Sequence, residues 1–494
     1  MNKNKKNRNK PGNKHNHSNK TYGEKRSGQT TKKNEKSQGK PTKTNKRHGN
    51  KQSVTAEVTC SSLTQEGKGI VQWKGKQLEV EHLLPGEIAE ITVSTNGQHV
   101  HSKVKRIIKT SDDRTKPPCV YYYECGGCQL QHMNNQAQER FKQDTIDQLM
   151  KPFGKPEPIL TMDNPYDYRN KSHITFGLNK DRQIIGGLYA QNSHQLISMD
   201  RCLIHDPKAD EIWNTIKDMM KSFKIQPYNE DTGRGFLRHV LVKVGKVSGE
   251  IMVVLVVAST IFKGSNNFVK ALRKAHPEIT TILMNVNNRK TSMVLGDQEK
   301  VLFGKGTITD TLCGMKFEIS AKSFYQINPV QTEKLYAKAI EMAQLTGRET
   351  VIDAYCGIGT IGLIASQKAG KVIGVELNKD AVRDAIRNSK RNGVKNARFH
   401  QGDSGEFMME MAARGEKADV VIMDPPRSGS DEAFLSSVVK LKPKRIVYVS
   451  CNPVTQVRDL KYLVQNGYDV KGLQPVDMFP QTVHVECVAL IDLK

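Results

Sequence analysis

The sequence predicts an α/β fold: a C-terminal doubly wound parallel sheet, preceded by a strand-rich central part and a small N-terminal β-barrel. Three observations carry this. From about residue 333, short β-branched runs alternate with stretches of helical spacing, the order that gives a parallel sheet with helices on both faces. The first run is followed by Gly357-Ile358-Gly359-Thr360-Ile361-Gly362, a literal G-x-G-x-x-G. Between about residues 54 and 109 the runs are instead short and alternating, separated by Gly67, Gly69, Gly75, Pro85-Gly86 and Asn96-Gly97, a spacing that suits a small closed barrel.

The 494 residues suffice for about three domains. Residues 1–52 are Lys, Asn, Gly, Ser, Thr and His with almost no aliphatics, a composition that cannot offset the entropy of ordering, so a disordered basic tail is expected. It holds 17 Lys and Arg against Glu24 and Glu35, so +15 of the net +25 sits there and the remainder of the chain is still basic. That balance favours a polyanionic partner, nucleic acid above all. Nine cysteines without a secreted pattern argue against a disulfide framework. No apolar run approaches about 18 residues and none opens the chain, so a cytoplasmic protein without a membrane partner is expected, as a monomer.

The barrel strands are read at Val54–Val58, Ile70–Trp73, Ile88–Val93 and Val104–Ile108, giving a domain over 53–112. A central region, 113–320, opens on Cys119, Cys125, Gly126, Gly127 and Cys128. The two glycines let the backbone wrap while the thiols face one centre, and three such cysteines with one more suffice for a four-thiolate site, either a four-iron, four-sulfur cluster or zinc. Asn134 to Met150 has helical spacing, ended by Pro152 and Gly154, and could pack on the C-terminal domain. The strands that follow carry Tyr168-Arg169-Asn170-Lys171 and Arg238-His239, a mixture suited to RNA and equally to a solvated strand face.

In the C-terminal domain, 321–494, strands are read at Thr350–Ile352, Val372–Val375, Ala397–Phe399, Val420–Met423, Ile446–Val449, more weakly near Tyr468–Val470, and Val488–Ile491. The glycine motif with Glu376 closing the second strand indicates an adenosine-containing cofactor, and a dinucleotide-binding dehydrogenase fits it too. Asp353 at the end of the first strand suits a cationic, amino-acid-bearing ligand better than a pyrophosphate. Asp424-Pro425-Pro426-Arg427 follows the fourth strand, its prolines fixing an extended loop. Cys451, in Ser450-Cys451-Asn452-Pro453, ends the fifth strand, where an open sheet places its ligands; it is a candidate nucleophile, or else an inert buried thiol. Glu486 is a lone carboxylate among apolar neighbours, a setting that raises its pKa and suits a base.

Glu66-Gly67-Lys68-Gly69-Ile70 and Leu84-Pro85-Gly86-Glu87 resemble the TRAM domain, an oligonucleotide/oligosaccharide-fold barrel of RNA-modifying enzymes. Phe324-Tyr325-Gln326-Ile327-Asn328, Asp353 through Thr360, the Asp424 loop, the Cys451 loop and His484-Val485-Glu486 stand in the order seen in RNA uracil-C5 methyltransferases. With the cysteines, the sequence looks like their 23S ribosomal RNA branch, from the barrel to the C-terminus, which makes the sheet a Rossmann-like methyltransferase sheet. The resemblance implies that Gln326, Tyr355, Glu376, Asp424 and Asp403 hold S-adenosylmethionine, that Cys451 is the nucleophile and Glu486 the base, and that Cys119, Cys125, Cys128 and Cys202 ligate a four-iron, four-sulfur cluster. Thr360 stands where some members have asparagine. The same chemistry on tRNA and a non-catalytic RNA-binding or ribosome-assembly factor are the alternatives.

Overall fold

The computed structural model describes residues 52–96, 99–191, 193–290 and 293–494; the expected tail, apart from Gln52, lies outside them. β1 (Gln52–Leu63), β2 (Gly69–Trp73), β3 (Lys76–Val80), β4 (Ile88–Asn96) and β5 (His99–Lys109) form an antiparallel sheet in the order β3-β2-β1-β4-β5. Strand β3 was not among the expected ones. Lys74 and Gly75, with φ of 49° and 74°, turn the chain back on itself, and Leu78 and Val80 then face inward beside Val71 and Ile91. The two outer strands meet where Ser102 Oγ of β5 donates to Glu79 O of β3 at 2.5 Å.

After the single turn α1 (Tyr122–Cys125), helix α2 (Asn135–Met150) starts at Asn134, whose side chain accepts from Ala137 N. The helix packs on the C-terminal domain: Ile146 and Met150 share a core with Ile352, Val421, Tyr448 and Leu460. The fully buried Lys142 Nζ donates to Asp477 Oδ1 at 2.5 Å and to Phe479 O at 3.2 Å.

The central region is α/β, with two helices where the sequence reading had strands and glycine turns. Its elements are β6 (Lys171–Leu178), β7 (Ile184–Tyr189), β8 (Leu196–Ser198), α3 (Pro207–Ser222), β9 (Leu237–Val244), β10 (Ile251–Val257), α4 (Ser265–Ala275), β11 (Ile279–Val286) and β12 (Gln298–Phe303). The sheet runs β12-β11-β10-β9-β6-β7-β8. Trp213 and Ile216 of α3 and Phe268 and Leu272 of α4 cover one face, against Val240, Val242, Val253 and Leu255. The other face joins Leu241, Met252, Val254 and Val256 to the hairpin β13 (Ile308–Leu312) and β14 (Met315–Ile319) and to the C-terminal domain through Leu335 and Val351.

The C-terminal part, which lies in one compact unit with the rest of residues 51–494, comprises α5 (Pro329–Ala343), β15 (Thr350–Ala354), α6 (Thr360–Ala365), β16 (Lys371–Glu376), α7 (Lys379–Arg391), β17 (Ala397–Gln401), α8 (Ser404–Ala413), β18 (Val420–Met423), α9 (Glu432–Leu441), β19 (Arg445–Ser450), α10 (Pro453–Gln465), β20 (Tyr468–Val476) and β21 (Glu486–Leu493). The sheet order is β17-β16-β15-β18-β19-β21-β20. Its first five strands are parallel. The expectation of an all-parallel sheet is corrected at the end: β21 runs antiparallel to both β19 and β20. Only residues 477–485 separate β20 from β21, and an antiparallel pair needs no crossover helix. The reversal brings the first residue of β21 to the end of the sheet where the parallel strands finish.

A buried pair broken on one side leaves an uncompensated charge, so Lys142→Met is expected to cost about 3–5 kcal/mol in urea unfolding. Lys142→Met combined with Asp477→Leu should recover much of that loss; a double variant as unstable as the single one would contradict the pairing.

Candidate active site

The strand order changes direction between β15 and β18, the place where open α/β sheets form their ligand crevice, above the strands' carboxyl ends. The candidate carboxylates and the cysteine singled out in residues 321–494 stand on that edge. Asp353 is next to last in β15, Glu376 ends β16, Asp403 follows β17, Asp424 follows β18, Cys451 follows β19 and Glu486 opens β21. Gln326 arrives from the loop before α5 and is buried, its carbonyl accepting from Asn170 Nδ2 at 2.9 Å.

The glycine loop is held by two carboxylates. Asp353 Oδ2 accepts from Gly362 N at 2.7 Å, and a Cβ at position 362 would fall 2.6 Å from that oxygen. Asp353 therefore lies beneath the loop, 1% exposed. Burial pushes its carboxyl up to about 8 against the Gly362 N–H, with Asp424 and Glu376 adding to the rise. Glu376 accepts from Gly357 N at 3.1 Å and Asn378 N at 2.7 Å. Gly357 has φ 55° and open space where a Cβ would stand, and Tyr355 holds φ 64° with its ring 5.0 Å from that of Phe434. Asp403 caps α8, accepting from Gly405 N and Glu406 N at 2.8 and 3.0 Å, so one of its oxygens is already engaged.

Ser450 of β19 pairs with Cys487 of β21, which makes Cys451 and Glu486 the next positions facing one another. Glu486 is 2% exposed; burial, then the Asp424 carboxylate, push it up to about 8. Burial alone takes Asp424 to about 7. The Cys451 thiol rises to about 11 through burial and the charges of Glu486 and Asp424, with Arg427 pulling the other way. Glu486 and Cys451 thus both respond to the Asp424 carboxylate. The Asp424 loop is braced from α10: Asn452 Nδ2 donates to Arg427 O at 2.9 Å, and Arg458 to Ser428 O and Ser430 O. The fully buried Asp459 accepts from Ser430 N and Tyr448 OH.

Several contributors were invisible in the sequence. Tyr336 of α5 is buried with its OH 3.4 Å from Thr360 Oγ1, and its phenol feels Asp424 and Glu486, yet its helical spacing reads as plain core. Arg458 and Asp459 read as an ordinary solvated helix face.

Away from the crevice, Cys119, Cys125, Cys128 and Cys202 line one cavity of ≈ 230 Å³ with Arg169, His173 and His205. Gly126, with φ 68°, ends α1 and turns the chain between Cys125 and Cys128. Cys202 N donates to Asp210 Oδ2 at 2.7 Å, and Asp210 also accepts from Trp213 Nε1, which fixes the distant cysteine against the other three. Among the described residues, no three His, Cys, Asp or Glu side chains close to the spacing of a single bound metal ion.

Residues 134–494 match the model of the tRNA (uracil-5-)-methyltransferase family. The chain belongs to this family. It is an S-adenosylmethionine-dependent RNA methyltransferase of the uracil-C5 type. An uncharacterized RNA methyltransferase of Halalkalibacterium halodurans is 43% identical over 451 residues, covering 90% of this chain and 98% of the relative. One from Listeria innocua is 41% identical over 451 residues, covering 90% and 99%. Among solved structures, the Pyrococcus abyssi tRNA (uracil-54, C5)-methyltransferase in complex with S-adenosyl-L-homocysteine is 26% identical, with a TM-score of 0.72 over 88% of this chain and all of that one.

The raised Glu486 pKa has a consequence for stability. Its folded value lies well above the unfolded carboxylate's, so the folded state is favoured by the proton; this contribution is full below about pH 4 and is lost as pH rises towards about 8. Thermal unfolding should show the parent losing more stability between about pH 5 and 9 than Glu486→Gln does. Equal losses would contradict a desolvated carboxyl at this position.

Proposed function

We propose that this protein methylates C5 of a uridine in 23S rRNA through a covalent adduct between Cys451 Sγ and C6, with Glu486 removing the C5 proton. The observation that carries the reading is the register that sets Cys451 beside Glu486 at the end of the sheet where the glycine loop and Asp424 stand. Gln326, Tyr355, Glu376 and Asp424 would hold S-adenosylmethionine, with Asp353 fixing the glycine loop from below and Asp403 acting through the start of α8. Bound there, S-adenosylmethionine supplies an electrophilic methyl group. Uracil C5 is too weak a nucleophile by itself; addition of the Cys451 thiolate to C6 makes C5 an enolate carbon. Once C5 carries the methyl group, Glu486 takes its proton, and the electron pair of that C–H bond returns to form C5=C6 and expel Cys451. The braced Asp424-Pro425-Pro426 loop is suited to hold the extracted base while this happens.

The four cysteines suit a four-iron, four-sulfur cluster in their donor set, with zinc as the alternative, and all four line one cavity. The strand order of the first sheet and the Ser102 to Glu79 contact support the TRAM-like barrel reading. A cytoplasmic monomer acting on RNA completes the proposal.

A tRNA uridine is the second reading. It is favoured by the description of the family and by the Pyrococcus tRNA enzyme, which matches more of this chain than residues 134–494 alone amount to. Domain content therefore leaves the two RNAs to experiment. With labelled methyl donor, 23S rRNA and tRNA from cells lacking the protein are compared as substrates. Label at C5 of a 23S uridine is expected; label in tRNA alone would replace the proposal by the second reading, and label in neither would remove both.

Cys451→Ala should be inactive, whereas Glu486→Gln should accumulate an RNA–protein adduct that survives denaturing electrophoresis. Turnover should rise with pH between about 6 and 9 as the coupled Glu486 and Asp424 ionise, and Asp424→Asn, which lacks the charge that raises Glu486, should shift the rise to lower pH. Iron and sulfide analysis after anaerobic purification should show both, and neither in Cys128→Ser; stoichiometric zinc would sink the cluster.

A further inference from the structure

A groove of ≈ 460 Å³ runs from the loop before β2, past the cysteine loop, to Val483 and His484. Its inner end meets the catalytic loops: His484 Nδ1 lies 3.2 Å from Arg427 Nη2, and Asn452, beside Cys451, holds the Arg427 carbonyl. Tyr123 stands in it 60% exposed, far more than a tyrosine needed for packing. Its ring is braced, 5.1 Å from His82 at 90° and 5.0 Å from Tyr122 at 69°. Tyr122 is buried, donates from its OH to Gln129 O at 2.6 Å and lies 2.6 Å from His132 Nδ1. The result is a fixed aromatic surface open to solvent.

The walls do not suit phosphate. Glu66, Glu81 and Glu124 line the groove and are exposed, while Lys68, its permanent cation among the described residues, lies 3.5 Å from Glu79. Burial lowers the pKa of His82 and His484, which disfavours a positive charge on either. A polyanionic backbone is repelled by such a surface, against the basic trend of the whole chain. An aromatic face with carboxylates beside it matches a nucleobase, which stacks on the ring and donates amino N–H groups to the oxygens. Adenine, cytosine and guanine present such a group; uracil has no amino group, and its one N3–H is flanked by two carbonyl oxygens that the carboxylates disfavour.

We propose that this groove is a base-reading subsite that takes an amino-bearing base of the substrate strand, near the target uridine, stacked on Tyr123 with its amino group on Glu81 or Glu124. This rests on the uracil-methylation reading and adds a source of sequence selectivity to it.

The test uses a hairpin RNA library with one loop uridine and randomised flanking nucleotides, methylated by the full chain and by Tyr123→Ala, Tyr123→Phe and Glu81→Gln/Glu124→Gln, all matched for iron content. Sequencing of the 5-methyluridine products should show the parent discriminating about tenfold against uracil at one flanking position, with adenine, cytosine and guanine separated by their own frequencies there. Tyr123→Ala should flatten that preference, Tyr123→Phe should keep it, and the double Gln variant should admit uracil. An unchanged preference in both Tyr123→Ala and the double Gln variant would overturn the subsite while leaving the enzyme's activity standing. Displacement of the RNA preference by a Lys-rich peptide, but not by free adenosine or cytidine, would reassign the groove to a protein partner. A parent that produces no 5-methyluridine from any hairpin overturns the underlying reading and the subsite with it.

Discussion

The antiparallel pairing of β19 with β21 is the constraint on which the site depends. Ser450 opposite Cys487 makes Cys451 and Glu486 neighbours across the strands, and the backbone ladder, not any contact between the two side chains, sets their approach. Gln456 Nε2 donates to both Tyr448 O and Cys487 O, so the ladder is clamped within three residues of the thiol. A one-residue slip of either strand would turn its functional side chain to the opposite face of the sheet and part it from the other.

The same placement fixes the electrostatics. Glu486, Asp424 and Cys451 share a desolvated corner: burial raises all three, the Asp424 carboxylate adds to the rise of Glu486, and both carboxylates add to that of Cys451. A resting thiol and late-ionising carboxyls are the outcome, and the cation that lowers the thiol, Arg427, belongs to the loop braced by Asn452, Thr455 and Arg458. Helix α2 ties this corner to the rest of the molecule: Lys142 reaches Asp477, and Gln138 bonds with Gln481, both in the connection that leads into Glu486. Gln129 N and Leu130 N, just past the cysteine loop, donate to Gln481 O, and Val483 packs with Leu84 before β4, so the cysteine loop, the first sheet and the catalytic sheet bear on one short segment, residues 477–485.

The parallel half of the catalytic sheet was legible because buried parallel strands read as continuous β-branched runs, as in Val420–Met423 and Arg445–Ser450. The direction of β21 was not, since an apolar strand carries no mark of its orientation. Strand β3 was hidden because Lys76, Gln77 and Glu79 dilute its two inward residues, and α3 and α4 because the strands around them dominate the pattern. Positions at strand ends were legible where a residue type is chemically unusual for its place, as with Cys451, Glu376 and Glu486. Asp353 and Asp403 also stand at strand ends, but their hydrogen bonds to backbone N–H groups were not legible, because sequence does not distinguish a ligand-facing carboxylate from a cap. Tyr336 and Asp459 gave no signal at all, because their importance comes from long-range packing.

The central claim, that Cys451 attacks C6 and Glu486 releases the product, is met most directly by replacing the C5 proton with fluorine. RNA carrying 5-fluorouridine at the target position is incubated with the protein and S-adenosylmethionine, digested, and examined by mass spectrometry. With no proton for Glu486 to take, a methylated fluoronucleotide should remain bound to the peptide containing Cys451. An adduct on another cysteine such as Cys356, or no adduct under conditions where ordinary RNA is methylated, would contradict the account.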